Sequence, residues 1–555
     1  MKAVFSLVCL TMFYSSSVVA VTRYWINGGS GNFNDGTHWS LSSGGNPING
    51  TISWAITDVA VFDYNSGSPT VIFTASEQIG KFRFYGSDTV TLKANSTYSR
   101  TLGINAVDTA SLLVSDVSTL IISGTASTTD RNMTVELDNA TGVTAKIYGV
   151  VEVKEENSGY GEFRKKGSYS TIFFRYGSTY IHNTKETGSD IPIATWHAAS
   201  TCKITGITGT VPGNLDQPFG NLIWNCPGQT DVFNWPTMPA LLGNFTIAST
   251  GSGGIKLSDA IDITWNISGS YSQTGGNFYP AGTSANNIIN LGGGFSMTGG
   301  ILSCPGTGSC LFRFNTSGVH NYSKTGGTYY QKIHFEVVSG ATLDMGGSII
   351  DNGSSGNFTL NSGGCLKTAH VQGISSTGAS GCIQLTGSRT FNAGASYIFY
   401  KSGSQATGTG LPATLSSVLT IGTIHNATSL TLTNSPVTIN GTLVLVSDSA
   451  INSAIASGTI SYGSNGTLEY QGDTAQVTTD IEFPSTSGPY NLKINNAYGV
   501  SLHEDRTING TIYLSIGQFL IGAHTLTING TLSQTMGVLK GGLSSNIIVG
   551  GTGNL

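Results

Sequence analysis

The chain predicts an all-β fold, a parallel β-helix (β-solenoid) with an aromatic-rich N-terminal cap, and three observations carry that expectation. The first is a phrase near the C-terminus in which aliphatic residues alternate with Thr around an Asn-Gly pair. It reads Val437-Thr438-Ile439-Asn440-Gly441-Thr442-Leu443, then Thr507-Ile508-Asn509-Gly510-Thr511-Ile512, then Leu526-Thr527-Ile528-Asn529-Gly530-Thr531-Leu532, with a worn copy at Ser464-Asn465-Gly466-Thr467-Leu468. Such alternation sends one set of side chains to a core and the other to water. The Asn-Gly pairs at 509 and 529 lie 20 residues apart and those at 440 and 465 lie 25 apart, the period of a solenoid coil. The second observation is another phrase at a similar period: Tyr271-Ser272-Gln273-Thr274-Gly275-Gly276, Phe295-Ser296-Met297-Thr298-Gly299-Gly300 and Tyr322-Ser323-Lys324-Thr325-Gly326-Gly327, spaced 24 and 27 residues apart. Stacked coils would turn it into an aromatic ladder of Tyr271, Phe295 and Tyr322 above Gly-Gly corners in register. The third is composition: 75 Gly and only 10% charged residues accompany 39% hydrophobic residues, regularly placed and sufficient to build a core. Tandem antiparallel β-sandwich domains are the alternative, because Asn-Gly between alternating strands is also the strongest short hairpin signal and both residues tolerate positive φ.

Taken in order, residues 1–20 read as a secretory signal peptide: Lys2, an apolar run from Ala3 to Tyr14, and Val18-Val19-Ala20 as a cleavage site. Val8 before Cys9 is not the small residue that a lipoprotein signal requires, so Cys9 belongs to the signal core. No later stretch is long and apolar enough to span a bilayer as a helix. The expected location is therefore secreted, extracellular or on the cell surface.

Residues 21–74 form the expected cap, which holds three of the seven Trp: Trp25, Trp39 and Trp54. An end coil has an open hydrophobic face that such residues can close. Exposed, the same three would make a sugar-stacking platform, and they are the ligand-binding candidates. Gly28 to Asn32 resembles the start of a calcium-binding nonapeptide, but Phe33 stands where the ligating Asp would be, so no metal is assigned. Residues 75–245 are expected to be the first part of the solenoid. The Tyr/Phe-Ser-x-Thr-Gly-Gly repeats occupy 246–434 and the Asn-Gly-Thr repeats 435–555; by length about 20 coils would fit.

The densest charge cluster is Glu152, Lys154, Glu155, Glu156, Glu162, Arg164, Lys165 and Lys166 around Gly159 and Gly161. Mixed-sign charge flanking glycines predicts a solvated hairpin. Its chemical alternative is a polysaccharide lyase, in which a base abstracts the proton α to a carboxylate that a cation neutralises. His503-Glu504-Asp505-Arg506 is a second cluster; on a strand its members would alternate between faces and could not all converge, so it reads as the turn before Thr507. No nucleophile elbow, phosphate loop, dinucleotide fingerprint or zinc-protease motif stands out, and no catalytic residue or cofactor is assigned. Paired carboxylates for a hydrolase would converge only in space. The formal net charge of −5 does not favour nucleic acid.

Beyond Cys9, six cysteines remain: Cys202, Cys226, Cys304, Cys310, Cys365 and Cys382. An even number in a secreted chain suggests disulfides. Nearest-neighbour pairing would join 202 to 226, 304 to 310 and 365 to 382. Two of these spacings are close to one coil or a little less, and pairing across adjacent coils would staple the solenoid at ~3 kcal/mol per bridge, although spacing does not fix connectivity. Without a Cys-x-x-Cys pair, a zinc site is disfavoured.

Several stretches resemble the large secreted Gly/Ser/Thr-rich β-helical surface proteins of Bacteroidetes that often end in a type IX secretion sorting domain. They are Tyr24 to Ser40 with Phe62-Asp63, Ile191-Pro192-Ile193-Ala194-Thr195-Trp196, Cys202 through Phe219-Gly220-Asn221 to Trp224-Asn225-Cys226, Gly410-Leu411-Pro412-Ala413-Thr414, and the Asn-Gly-Thr coils. The resemblance implies a surface location and an adhesin-like or unassigned role, and it transfers no catalytic residues. The sorting domain is missing: the sequence stops at Gly550-Gly551-Thr552-Gly553-Asn554-Leu555 in mid-pattern and reads as truncated. The functional expectation is a non-enzymatic surface or matrix solenoid, adhesin-like or structural, with polysaccharide or cell-surface glycans as candidate partners and no oligomeric state implied. A carbohydrate-binding protein is the alternative, and a lyase or hydrolase on the same scaffold stands behind it.

Overall fold

A computed structural model describes residues 19–26, 28–86, 88–125, 131–185, 189–235, 237–351, 353–448, 451–452 and 454–550. The signal segment lies outside these but for Val19 and Ala20, as do the last five residues. Among the described residues the only helix is a 3-10 turn at Gly36–His38, and no helix is long and apolar enough to cross a membrane. Nearly every ladder is parallel. This is a β-solenoid of about 20 turns in all, which excludes antiparallel sandwiches. It divides into two compact units, Met1–Thr201 with Pro212–Asn214, and Cys202–Val211 with Leu215–Leu555.

Each coil of the second unit is three-sided. Tyr271–Gln273, Asn277–Tyr279 and Asn286–Leu291 make one coil, and each pairs in parallel with its counterpart in the next: Phe295–Met297, Ile301–Cys304 and Ser309–Phe314. The aromatic ladder forms as expected. Tyr271 aligns with Phe295 and Phe295 with Tyr322, at centroid distances of 5.1 and 5.3 Å. A second column, Phe312 over Phe335 at 5.7 Å, packs against the first from another side of the coil.

The Asn-Gly-Thr phrases stack too. Thr442-Leu443 aligns with Thr467-Leu468, and Thr511-Ile512 with Thr531-Leu532. Their Asn-Gly pairs are corners between two sides of a coil: Val437–Ile439 pairs with Ile460–Tyr462, whereas Thr442–Asp448 pairs with Thr467–Gly472. The reason for the glycine is not the positive φ that the sequence suggests, since Gly441, Gly466, Gly510 and Gly530 all lie outside the left-handed region. A Cβ on Gly441 would instead sit 1.9 Å from the Ser417 carbonyl oxygen, and one on Gly530 1.9 Å from that of Gly510. These glycines let one coil touch the next. Left-handed φ is needed at the other corners, where Gly276, Gly300 and Gly327 have φ of 67, 79 and 71°. Gly441→Ala is therefore expected to force two coils apart at a cost of about 1–3 kcal/mol. Urea unfolding checks this, and an unchanged midpoint would refute the close approach.

The first unit has the same three-sided plan. One side stacks Val59–Phe62, Lys81–Phe84, Asp108–Val114, Val143–Ile147 and Thr171–Phe174 in parallel. Its first rung is Thr22–Trp25, parallel to Val59–Phe62 and antiparallel to Trp39–Ser40, so the aromatic-rich stretch closes the end of the core.

His182 is buried in this unit, its Nδ1 3.3 Å from the Tyr180 hydroxyl and its Nε2 2.9 Å from Thr184 Oγ1. Burial lowers its pKa from 6.5 to about 4. The unfolded chain takes up this proton below about pH 6.5 while the folded one resists until about pH 4, so stability falls across that window and levels off below it. Burial also lowers His334 and His370, in the same direction. A lower urea midpoint at pH 4.5 than at pH 7.5 is expected, and His182→Gln should shrink the difference.

Candidate functional site

The cap tryptophans do not form a sugar platform. Trp25 and Trp39 are fully buried, edge to face at 5.1 Å, and their Nε1 atoms donate to the carbonyls of Gly29 and Phe33. Trp54 is half-buried, stacked on Phe33 at 4.7 Å with the Arg23 guanidinium 4.9 Å over its ring. The physical reason is the open end: an end coil fills with its largest side chains before it can present any.

The charged cluster is a hairpin, as its composition predicts. Val150–Glu156 pairs antiparallel with Gly159–Lys165, and Asn157 takes a φ of 55° in the turn. Its groups neutralise one another across coils. Arg164 holds Glu136 at 2.8 Å and Glu162 at 2.9 Å, Lys93 holds Glu156 at 2.7 Å, and the Asn183 amide donates to Glu152. A cavity of about 540 Å³ lies beside it, lined by Glu162, Arg164, Lys165 and Asp190. Proton abstraction needs an unpaired base and a cation left for the substrate carboxylate. Here Glu162 and Arg164 serve each other.

The second cluster is the turn before Thr507 that its sequence predicts, and not all of its members converge, but the turn brings in a residue from another coil. His503 and Glu504 lie in a bend before the strand Arg506–Ile508, so strand alternation does not apply, and they converge with Asp480 of the preceding coil. One ligand atom from each of Asp480, His503 and Glu504 falls within 4.8 Å of the others. Arg506, buried at 4% exposure, reaches into this group: its guanidinium pairs with Asp480 and Glu504 and meets His503 Nε2 at 2.8 Å, while its Nε donates to the Phe483 carbonyl. His503 Nδ1 lies 2.6 Å from Thr478 Oγ1. The His503 hydrogen bond, with that of Arg506 behind it, keeps Asp480 below the usual carboxylate range. A cation at this corner would face the guanidinium that already fills the place. Asp505 points elsewhere and accepts from the Thr525 N–H. The arrangement ties one coil to the next.

The six cysteines are free thiols, and none of the expected bridges is formed. Cys202, Cys226, Cys304, Cys310 and Cys382 are buried and Cys365 is partly exposed. Cys310 is an inward-facing packing residue that meets Cys304 and is aligned with Asn287 and Ile333 in its ladder, whereas Cys365 belongs to the partly exposed, outward-facing set of its strand, aligned with Thr342 and Ser396. Burial pushes the Cys226 and Cys382 thiols up to about 12 and Cys202 and Cys310 well above their ordinary value, so these four are not poised nucleophiles.

Compared with known proteins, the chain matches no family model, no curated protein and no solved structure.

Proposed function

We propose that this chain is a secreted, non-enzymatic β-solenoid of the cell surface or extracellular matrix, adhesin-like or structural, with polysaccharide or cell-surface glycans as its partners. The observation behind this reading is that the arginine at the centre of each charged cluster is paired within the protein: Arg164 with Glu136 and Glu162, and Arg506 with Asp480 and Glu504. Groups that could act as base, acid or electrophile are used to fasten neighbouring coils. The repeated phrases serve stacking in the same way. A rigid array of this kind suits a stalk that displays a face of the protein away from the cell.

The test is to incubate the purified chain with plant, algal and bacterial polysaccharides while scoring binding and new chain ends, and to fractionate the cells that make it. The expected outcome is recovery in the surface or culture fraction and no new chain ends. Protein-dependent chain ends, or retention in the cytosol, would overturn the reading.

A further inference from the structure

One side of the first unit carries a groove of about 640 Å³ lined by Tyr85, Tyr148, Tyr176, Leu113, Ser115 and Asp116. It arises from the register of the strands beneath it. Phe84 aligns with Val114, Val114 with Ile147 and Ile147 with Phe174, and the amides of Tyr85, Ser115, Tyr148 and Arg175 each bond to the carbonyl one coil back. Tyr85, Ser115 and Tyr148 therefore form a column with one residue per coil. Tyr176 follows Arg175 by one position and stands beside it.

The three tyrosines are 52, 39 and 75% exposed. Isolated exposed apolar residues are ordinary, but three aromatics around one groove on a rigid sheet are a concentration that marks binding surfaces. Among the described residues none of their hydroxyls has a hydrogen-bond partner, and neither does the exposed carboxylate of Asp116 between them. Ser115 Oγ lies 2.8 Å from Ser118 Oγ. Arg175 is turned over the Phe173 ring at 4.4 Å and does not line the groove.

From these features we infer that the groove binds an extended, neutral, β-1,4-linked glycan chain lying along the stacking direction. The inference rests on the non-enzymatic, extracellular reading and names the site and the ligand class. Three properties select this occupant. Tyr85 and Tyr148 are two coils apart, about 9.5 Å at the strand spacing of a sheet, which suits alternate residues of an extended β-1,4 chain. Tyrosine faces offer the apolar, hydroxyl-edged surface on which the flat face of an equatorially substituted sugar packs. Asp116 is an acceptor in want of donors, and sugar hydroxyls supply them. A proline-rich peptide, which also favours tyrosine grooves, would bring carbonyl acceptors towards that carboxylate, and an acidic glycan would bring like charge.

Calorimetric titration of the full chain with cellohexaose tests this. Binding is expected, weakened up to about tenfold by each of Tyr85→Ala, Tyr148→Ala and Tyr176→Ala, and weakened by Asp116→Ala. Tyr513→Ala, an exposed tyrosine of the other unit, should leave it unchanged. All three groove side chains are solvent-facing, so the triple variant should melt like the parent while losing binding. Failure of the parent to bind, binding that survives the triple variant, or a groove-dependent preference for a proline-rich peptide or polygalacturonate would overturn the proposal. New reducing ends from cellohexaose would instead sink the non-enzymatic reading, whether or not binding maps to the groove.

Discussion

Phe295→Ala is expected to destabilise the second unit by about 3–5 kcal/mol, the range for removing a large aromatic side chain from a close-packed core. Phe295 is 1% exposed and is the ring on which two columns meet: Tyr271 and Tyr322 lie above and below it in its own column, and Phe312 and Phe335 reach it edge-on at 5.2 and 5.5 Å from another side of the coil. Alanine would leave a void that four aromatic rings border, and neighbours fixed in a ladder have little freedom to collapse into it. Phe295→Leu should recover part of the loss. Urea unfolding followed by tyrosine fluorescence measures it. A loss below about 1 kcal/mol would show that the columns are packed more loosely than their ring distances imply.

Ile528→Asp is expected to have an effect of similar size but different reach. Ile528 is fully buried and aligned with Ile508 on one side and Val549 on the other, so a carboxylate there would be an uncompensated buried charge worth about 3–5 kcal/mol. Ile508→Asp should cost less, because Arg506 faces inward two residues away on the same strand and offers a partner. In a stacked array stability is a sum over neighbouring repeats, so damage near the last described strands should open those coils and spare the rest. Hydrogen exchange is the measurement: amides of Thr525–Ile528 and Asn546–Val549 should lose protection while those of Tyr271–Gln273 keep it. Unchanged protection at Thr525–Ile528 would mean that Ile528 is not an inward rung.

Much of the architecture was legible because stacking repeats the same residue at the same rung. The Tyr/Phe-Ser-x-Thr-Gly-Gly phrases align residue for residue, Tyr271-Ser272-Gln273 on Phe295-Ser296-Met297. What escaped was whatever depends on contact between coils rather than on local conformation. The glycine of the Asn-Gly corners answers to a carbonyl one coil away, which no local propensity records. Trp25 and Trp39 are typical of both a cap core and a sugar platform, and only burial separates the two. Asp480 meets His503 across 23 residues, within an irregular bend where strand periodicity is silent. The groove tyrosines left one trace, the dipeptide Tyr-Gly at Tyr85-Gly86, Tyr148-Gly149 and Tyr176-Gly177. The uneven lengths of the intervening coils hide its period.

The buried thiols have a consequence of their own. A sulfhydryl sealed in a coil can meet an alkylating reagent only when that coil opens, and the second unit carries five of them between Cys202 and Cys382, with the partly exposed Cys365 as a sixth thiol. Each behaves as a fuse at a known address. The order in which they are consumed under mild denaturant would write out the sequence in which the array unzips, with Cys365, the least enclosed, marking the start of the clock.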